Sequence, residues 1–208
     1  MARYIGPVCR LCRREGEKLF LKGEKCFTKC TIEKRPTIPG VHGRNRRAKL
    51  LGFGLQLREK QKVKRIYGLL EKQFRLTFGN AEKSKEITGE MLLLLLERRL
   101  DNILYRLGLA SSRAQARQLT QHGHVRVNGK KVTIPSYTVN TGDVVGLKDG
   151  MTDNTHVQQA VNISRSRGVP TWLELDGEKP QGKVLSLPTR QDLTMPVQEN
   201  LIVELYSK

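Results

Sequence analysis

The sequence predicts an α+β protein: an N-terminal four-cysteine knuckle and helical domain, an inserted module of two helices on a small antiparallel sheet, and a short β-containing C-terminal tail. Three observations carry this. All four cysteines fall within the first 30 residues. Leu100, Ile103, Leu104 and Leu107 recur at helical spacing, with Gly108 as a stop. Val125 and Val127, the pair Asn128-Gly129, then Val132 and Ile134 read as a hairpin around a type I′ turn. The implied division is 1–43, knuckle and basic arm; 44–97, basic helical domain; 98–160, module; 161–208, a segment packing back on the protein.

Cys9, Cys12, Cys26 and Cys30 are spaced C-x2-C-x13-C-x3-C, two close pairs bridged by a knuckle-length loop. Four thiolates so paired can close tetrahedrally around zinc. A 4Fe-4S cluster uses the same ligand number, and spacing alone does not separate the two. Two disulfides or four free thiols are the remaining alternatives. The basic neighbours Arg10, Arg13, Arg14, Lys25 and Lys29 are expected to favour thiolate. Four protein ligands leave no position for an activated water, so any metal here is structural.

From Lys34 to Lys49 the chain reads KRPTIPGVHGRNRRAK, two prolines and two glycines among six basic residues and no acid, which predicts an extended segment. Leu55 to Tyr67 predicts a helix carrying Arg58, Lys60, Lys62, Lys64 and Arg65. Leu70, Phe74 and Phe78 at spacing four predict a second helix with its aromatics in the core. Met91 to Arg106 reads as one long helix.

In the module, Ser112 and Gln115 have capping-box spacing and start a helix bearing Ala114, Ala116 and Leu119, with Arg113 and Arg117 sharing its outer face. Asp143 to Leu147 offers a third strand. Beyond it, Asn154 to Ser164 predicts a helix, Thr171 to Leu187 short β runs, and Asn200 to Tyr206 a final strand.

Charge narrows the function. Lys plus Arg number 38 against 20 acids, a net +18 over 208 residues. Residues 1–150 hold 32 basic and 13 acidic side chains, and residues 151–208 hold 6 and 7. Such a surplus fits a polyanionic partner whose counterions are released on binding. With only 5% aromatics, phosphate contacts should outweigh base stacking. The apolar run Met91 to Leu96 is too short to span a bilayer, and no secretory or lipid-anchor signal is present, so a cytoplasmic location is expected. There is no Walker loop, GxSxG elbow or HExxH, and no motif-spaced acid pair, so no enzyme is expected.

The stretch RLD…YRLGLASSRAQARQL…GHVRVNGKKV closely resembles the small RNA-binding module named after ribosomal protein S-four. That module also occurs in some tyrosyl-tRNA synthetases, pseudouridine synthases and a heat-shock RNA-binding protein. Pro39-Gly40-Val41-His42-Gly43 with its following basic cluster, LREKQKVKRIYG, Thr88-Gly89-Glu90, Pro170 to Leu175 and the terminal ENLIVELYSK are similar to bacterial S-four ribosomal proteins over nearly the full length. The cysteine pattern departs from some metal-bearing relatives in its last interval, three residues instead of four.

The resemblance implies a ribosome-bound constituent of the small subunit. It would bind small-subunit (16S) ribosomal RNA early in assembly and influence translational accuracy. Neighbouring small-subunit proteins and the protein's own messenger RNA are the further partners it implies; no small-molecule substrate is expected. A free-standing regulatory or stress RNA-binding protein, or an RNA-modifying enzyme using the module as an accessory, is the alternative. The candidate RNA contacts are Arg3, Arg10, Arg13, Arg14, Lys22, Lys34, Arg35, His42, Arg44, Arg46, Arg47, Lys49, Arg58, Lys60, Lys62, Lys64, Arg65, Arg113, Arg117, Arg126, Lys130 and Lys131.

Overall fold

The computed structural model describes residues 3–44, 51–151, 154–176, 179–193 and 195–207. In chain order the elements are α1 (Cys9–Glu15), α2 (Lys25–Thr28), α3 (Thr31–Lys34), α4 (Phe53–Ile66), α5 (Glu71–Glu82), α6 (Thr88–Glu97), α7 (Leu100–Arg106) and α8 (Arg113–Gln121). There follow β1 (Val125–Val127), β2 (Lys130–Lys131), β3 (Val144–Leu147), α9 (Thr155–Arg167), β4 (Leu173–Leu175), β5 (Gln181–Val184) and α10 (Glu199–Tyr206). They form two compact units: residues 1–92 with 195–208, and residues 93–194. The residues after 161 are therefore shared between the units, where the sequence suggested one returning segment. Among the described residues no helix is long and apolar enough to cross a membrane.

The first unit is helical. Phe74 and Phe78 of α5 are buried, as their spacing predicts, and Ala81 joins them, whereas Leu70 caps the helix and is exposed. The terminal stretch predicted as a strand is helix α10. Its short apolar run satisfies either period, and tertiary partners decide. Ile202 is fully buried, and Tyr206 stacks on Phe78 with ring centroids 4.5 Å apart. The Gln56 amide of α4 donates to Glu204 at 2.9 Å, and the Gln198 backbone N–H donates to Glu59 at 2.9 Å. The segment expected to be extended after Lys34 includes a 3-10 turn, Val41–Arg44. Arg46, Arg47 and Lys49 lie outside the described residues, as does the side chain of Arg44.

The second unit packs α7, α8 and α9 with one antiparallel five-stranded sheet of order β2-β1-β3-β5-β4. Its core holds Ile103, Leu104, Leu119, Val145 and Trp172. Asn128 and Gly129 both have positive φ, 50° and 77°, the I′ geometry that two-residue hairpin loops require. The return strand is only Lys130–Lys131, and Ile134 is exposed beyond it. The β runs near 173–184 extend the module's sheet, since β5 pairs with β3 from Val144↔Lys183 to Gly146↔Gln181.

The single long helix expected over Met91–Arg106 is two. Arg99 adopts extended backbone, φ −66° and ψ 136°, and bridges Thr138. The Leu100 N–H donates to the Tyr137 carbonyl at 2.9 Å. Both halves carry helical periodicity, and the break coincides with an isolated β-bridge to a segment some forty residues away. Gly108 ends α7 at φ 83°; a Cβ there would stand 2.0 Å from that of Ser164, so α9 packs where only glycine fits.

Candidate nucleic-acid interface

Cys9 and Cys12 lie in α1, Cys26 in α2, and Cys30 immediately before α3. All four line one small cavity together with Val8, Leu21, Lys22, Thr31 and Ile32. Cys12, Cys26 and Cys30 are buried and Cys9 half-buried, and none forms a disulfide. The Lys22 backbone N–H donates to Cys26 Sγ at 3.3 Å. Burial pushes the Cys12 and Cys26 thiols up, and their neighbouring cysteines push them the same way. Arg10, Arg14, Lys25 and Lys29, the basic neighbours, stand in solvent. As they stand, no three His, Cys, Asp or Glu side chains among the described residues are placed to hold one metal ion.

Around the knuckle, Arg3, Arg10, Arg14, Lys22, Lys34, Arg35 and His42 are exposed. Arg13 is half-buried and turns inward, its Nε donating to the Thr37 carbonyl at 2.9 Å. It stitches α1 to the chain after α3.

Helix α4 departs from expectation. Its five cations are candidate RNA contacts in the sequence, yet each is held by a carboxylate of the same unit. Arg58 and Arg65 both bond Glu15, whose side chain is only 3% exposed. Burial raises the Glu15 carboxyl, and the two guanidinium groups offset only part of that rise. Lys60 and Lys64 each donate to Glu71 at 2.8 Å, and Tyr206 donates to it at 3.0 Å. Burial alone would raise Glu71, but these three bonds outweigh it and hold the carboxyl at about 2. Lys62 pairs with Glu59 at 2.8 Å and donates to the Pro196 carbonyl at 2.8 Å. In this arrangement Arg58, Lys60, Lys62, Lys64 and Arg65 fasten α1, α5 and the C-terminal segment to α4.

Arg113 and Arg117 require the same correction. The sequence placed them on an outer face, but they are 8% and 7% exposed, while Ala114 faces solvent. Arg117 donates to Asp101 through Nη2 at 2.5 Å and Nε at 3.0 Å, and Arg99 meets the same carboxylate at 3.2 Å. Arg113 donates to Asn102 Oδ1 at 2.8 Å and lies over the Tyr105 ring. The Asn102 amide donates to Glu97 at 2.7 Å, and Arg106 clamps that carboxylate at 2.7 and 3.0 Å. Among the described residues no buried side-chain polar atom lacks a partner, so this network is closed. Asp101, Asn102 and Glu97 gave no sequence signal as its hubs; an acid within a helix beside arginines on the next helix is the only cue available.

What this scaffold presents is the hairpin. Arg126, Lys130 and Lys131 are exposed and carry no ion pair among the described residues. The Lys131 stem lies over Gly123, where an added Cβ would come within 2.2 Å of its Cε. Lys148, unflagged by the sequence reading, is exposed just after β3.

Known proteins match the whole length of the chain. Residues 3–97 match the sequence model of the ribosomal protein S4/S9 N-terminal domain, and residues 98–145 that of the S4 domain. The small ribosomal subunit protein uS4 of Dictyoglomus turgidum is 60% identical over 209 aligned positions, covering the whole of both chains. The proteins of the same name from Geotalea daltonii and Halothermothrix orenii are 59% and 57% identical, again end to end. Two adjoining domain matches and full-length identity at this level show that the chain belongs to the uS4 family of small ribosomal subunit proteins.

Proposed function

We propose that the chain is a structural, non-catalytic constituent of the small ribosomal subunit that binds its ribosomal RNA chiefly through phosphate contacts. The carrying observation is the contrast within the module: the buried Arg99, Arg113 and Arg117 are bonded internally, while Arg126, Lys130 and Lys131 are exposed on the paired strands of the hairpin. Unpaired cations on a preorganised strand pair suit a polyanion, because no internal bond must break when phosphate arrives. Arg3, Arg10, Arg14, Lys22, Lys34, Arg35 and His42, exposed on the knuckle and its arm, supply a second contact region. The test is binding of in vitro transcribed small-subunit ribosomal RNA across a salt series. Lys130→Ala with Lys131→Ala should weaken binding and flatten the salt slope by up to roughly two units. Affinity indifferent to salt contradicts the proposal.

The cysteine quartet is part of the same reading. Four thiols on one apolar-walled cavity, with one backbone N–H already aimed at sulfur, are the soft donor set that zinc takes. Cys9, Cys12, Cys26 and Cys30 would hold the ion, which would staple α1, α2 and α3, elements too short to make a core themselves. A 4Fe-4S cluster would use the same residues. Elemental analysis of protein purified without chelators distinguishes them: equimolar zinc supports the first, iron with sulfide the second, and neither overturns both.

A further inference from the structure

The sequence points to α4, a helix with five cations, and not to α5. The structure reverses their standing. Every cation of α4 is tied to a carboxylate, whereas Lys72, Arg75 and Lys83 of the α5 segment are exposed and carry no ion pair among the described residues. These three fall within about 80° on the helical wheel, with Gly79 between them and Leu76 and Asn80 on the side of Lys83. The opposite side carries the buried Phe74, Phe78 and Ala81. Lys72, Arg75, Leu76, Gly79, Asn80 and Lys83 together line one shallow concavity, with Glu71 at its margin. That carboxylate is already engaged by Lys60, Lys64 and Tyr206 and does not neutralise the face.

Gly79 is the second observation. Glycine is a poor residue for a helix interior, and it persists where close approach demands it. Here nothing in the protein does: a Cβ at Gly79 would meet no atom within 4 Å. The notch opens to solvent in the middle of the cationic face. A side chain there would stand between the helix backbone and anything lying along it.

We infer that the outer face of α5 is a docking surface for the sugar–phosphate backbone of RNA, with Lys72, Arg75 and Lys83 on phosphates and the Gly79 notch admitting the strand against the helix. From Lys72 to Lys83 the face runs about 16 Å, long enough to follow several successive phosphates. Its single apolar residue, Leu76, is too little for a protein interface core, which favours RNA over a protein partner. The inference rests on the RNA-binding role proposed above.

The test uses the full-length protein and in vitro transcribed small-subunit ribosomal RNA. Replacing Lys72, Arg75 and Lys83 together by Gln should weaken binding at least tenfold and reduce the log–log salt slope by roughly two to three units, with an unchanged melting temperature. Gly79→Leu keeps every charge and favours the helix; it should weaken binding severalfold with the slope intact, which a merely solvated face would not produce. If the triple variant misfolds, Gly79→Leu decides alone. Wild-type affinity and slope in these variants overturn the α5 surface and leave the general RNA-binding role standing; no binding by the wild-type protein removes both. Variants that bind RNA normally but are lost from reconstituted subunits would assign the face to a protein neighbour instead.

Discussion

Asp101 is the residue on which the folded module can be tested most severely. Its side chain is 3% exposed and receives Arg117 at 2.5 Å and Arg99 at 3.2 Å, both themselves at least nine-tenths buried. Asp101→Ala leaves two guanidinium groups in the interior without their carboxylate. Breaking a buried pair by removing one partner costs about 3–5 kcal/mol, most of it the stranded charge. With a urea m-value of about 2 kcal/mol per M, the midpoint should fall by roughly 1.5–2.5 M. The assay is already in the chain: Trp172, its only tryptophan, is 3% exposed in the same core, so its fluorescence follows this unit alone. Arg117→Ala should cost less than Asp101→Ala, because Arg99 still serves the carboxylate. A double-mutant cycle of the two should show strong coupling. A wild-type midpoint for Asp101→Ala would mean that the cations relax into solvent, and Arg117 would return to the list of RNA contacts.

Glu71 sets the acid limb of the helical unit. Its carboxyl is held at about 2 against a free value of 4.5, so its contribution is present above 4.5 and is lost as pH falls from there through about 2. Glu71→Gln should therefore flatten the loss of thermal stability over that window, and an unchanged acid limb would contradict the bonding described for Lys60, Lys64 and Tyr206. Gly108→Ala should destabilise the module by more than about 1 kcal/mol, since it adds both a disfavoured φ and a clash with Ser164; urea titration of Trp172 fluorescence measures it. If the quartet holds zinc as proposed, Cys9→Ser or Cys30→Ser should lower the zinc content and loosen the knuckle while leaving the Trp172 transition in place, as elemental analysis and limited proteolysis would report.

Features governed by chemistry between close neighbours were legible in the sequence. The hairpin needed only Asn128-Gly129, whose positive φ values no other local pair supplies as readily. The start of α8 needed Ser112, whose hydroxyl does accept the Gln115 N–H at 3.3 Å; the Gln115 side chain, however, reaches Ser111, so only half of the capping box forms. The phenylalanines of α5 went to the core as their spacing implied. What failed was decided at long range. The break at Arg99 depends on Tyr137 and Thr138, and the helical state of α10 on partners as remote as Glu71, 135 residues before Tyr206.

The same distinction governs the electrostatics, and there it changes which residues are credited with function. Charge density along a sequence counts cations before any acid has been assigned to them. The protein has 20 acids, and several sit where they neutralise more than one cation: Glu15 holds Arg58 and Arg65, Glu71 holds Lys60 and Lys64, and Asp101 holds Arg99 and Arg117. Each shared acid removes two cations from the pool that a polyanion can use without first breaking a bond. The helix with five cations thereby becomes a structural fastener, and α5 with its cap, carrying three cations on one side, becomes a free face. Binding strength should accordingly follow the unpaired cations. Charge-neutralising substitutions on α5 or the hairpin should change the salt slope at constant stability, while those on α4 or α8 should change stability first.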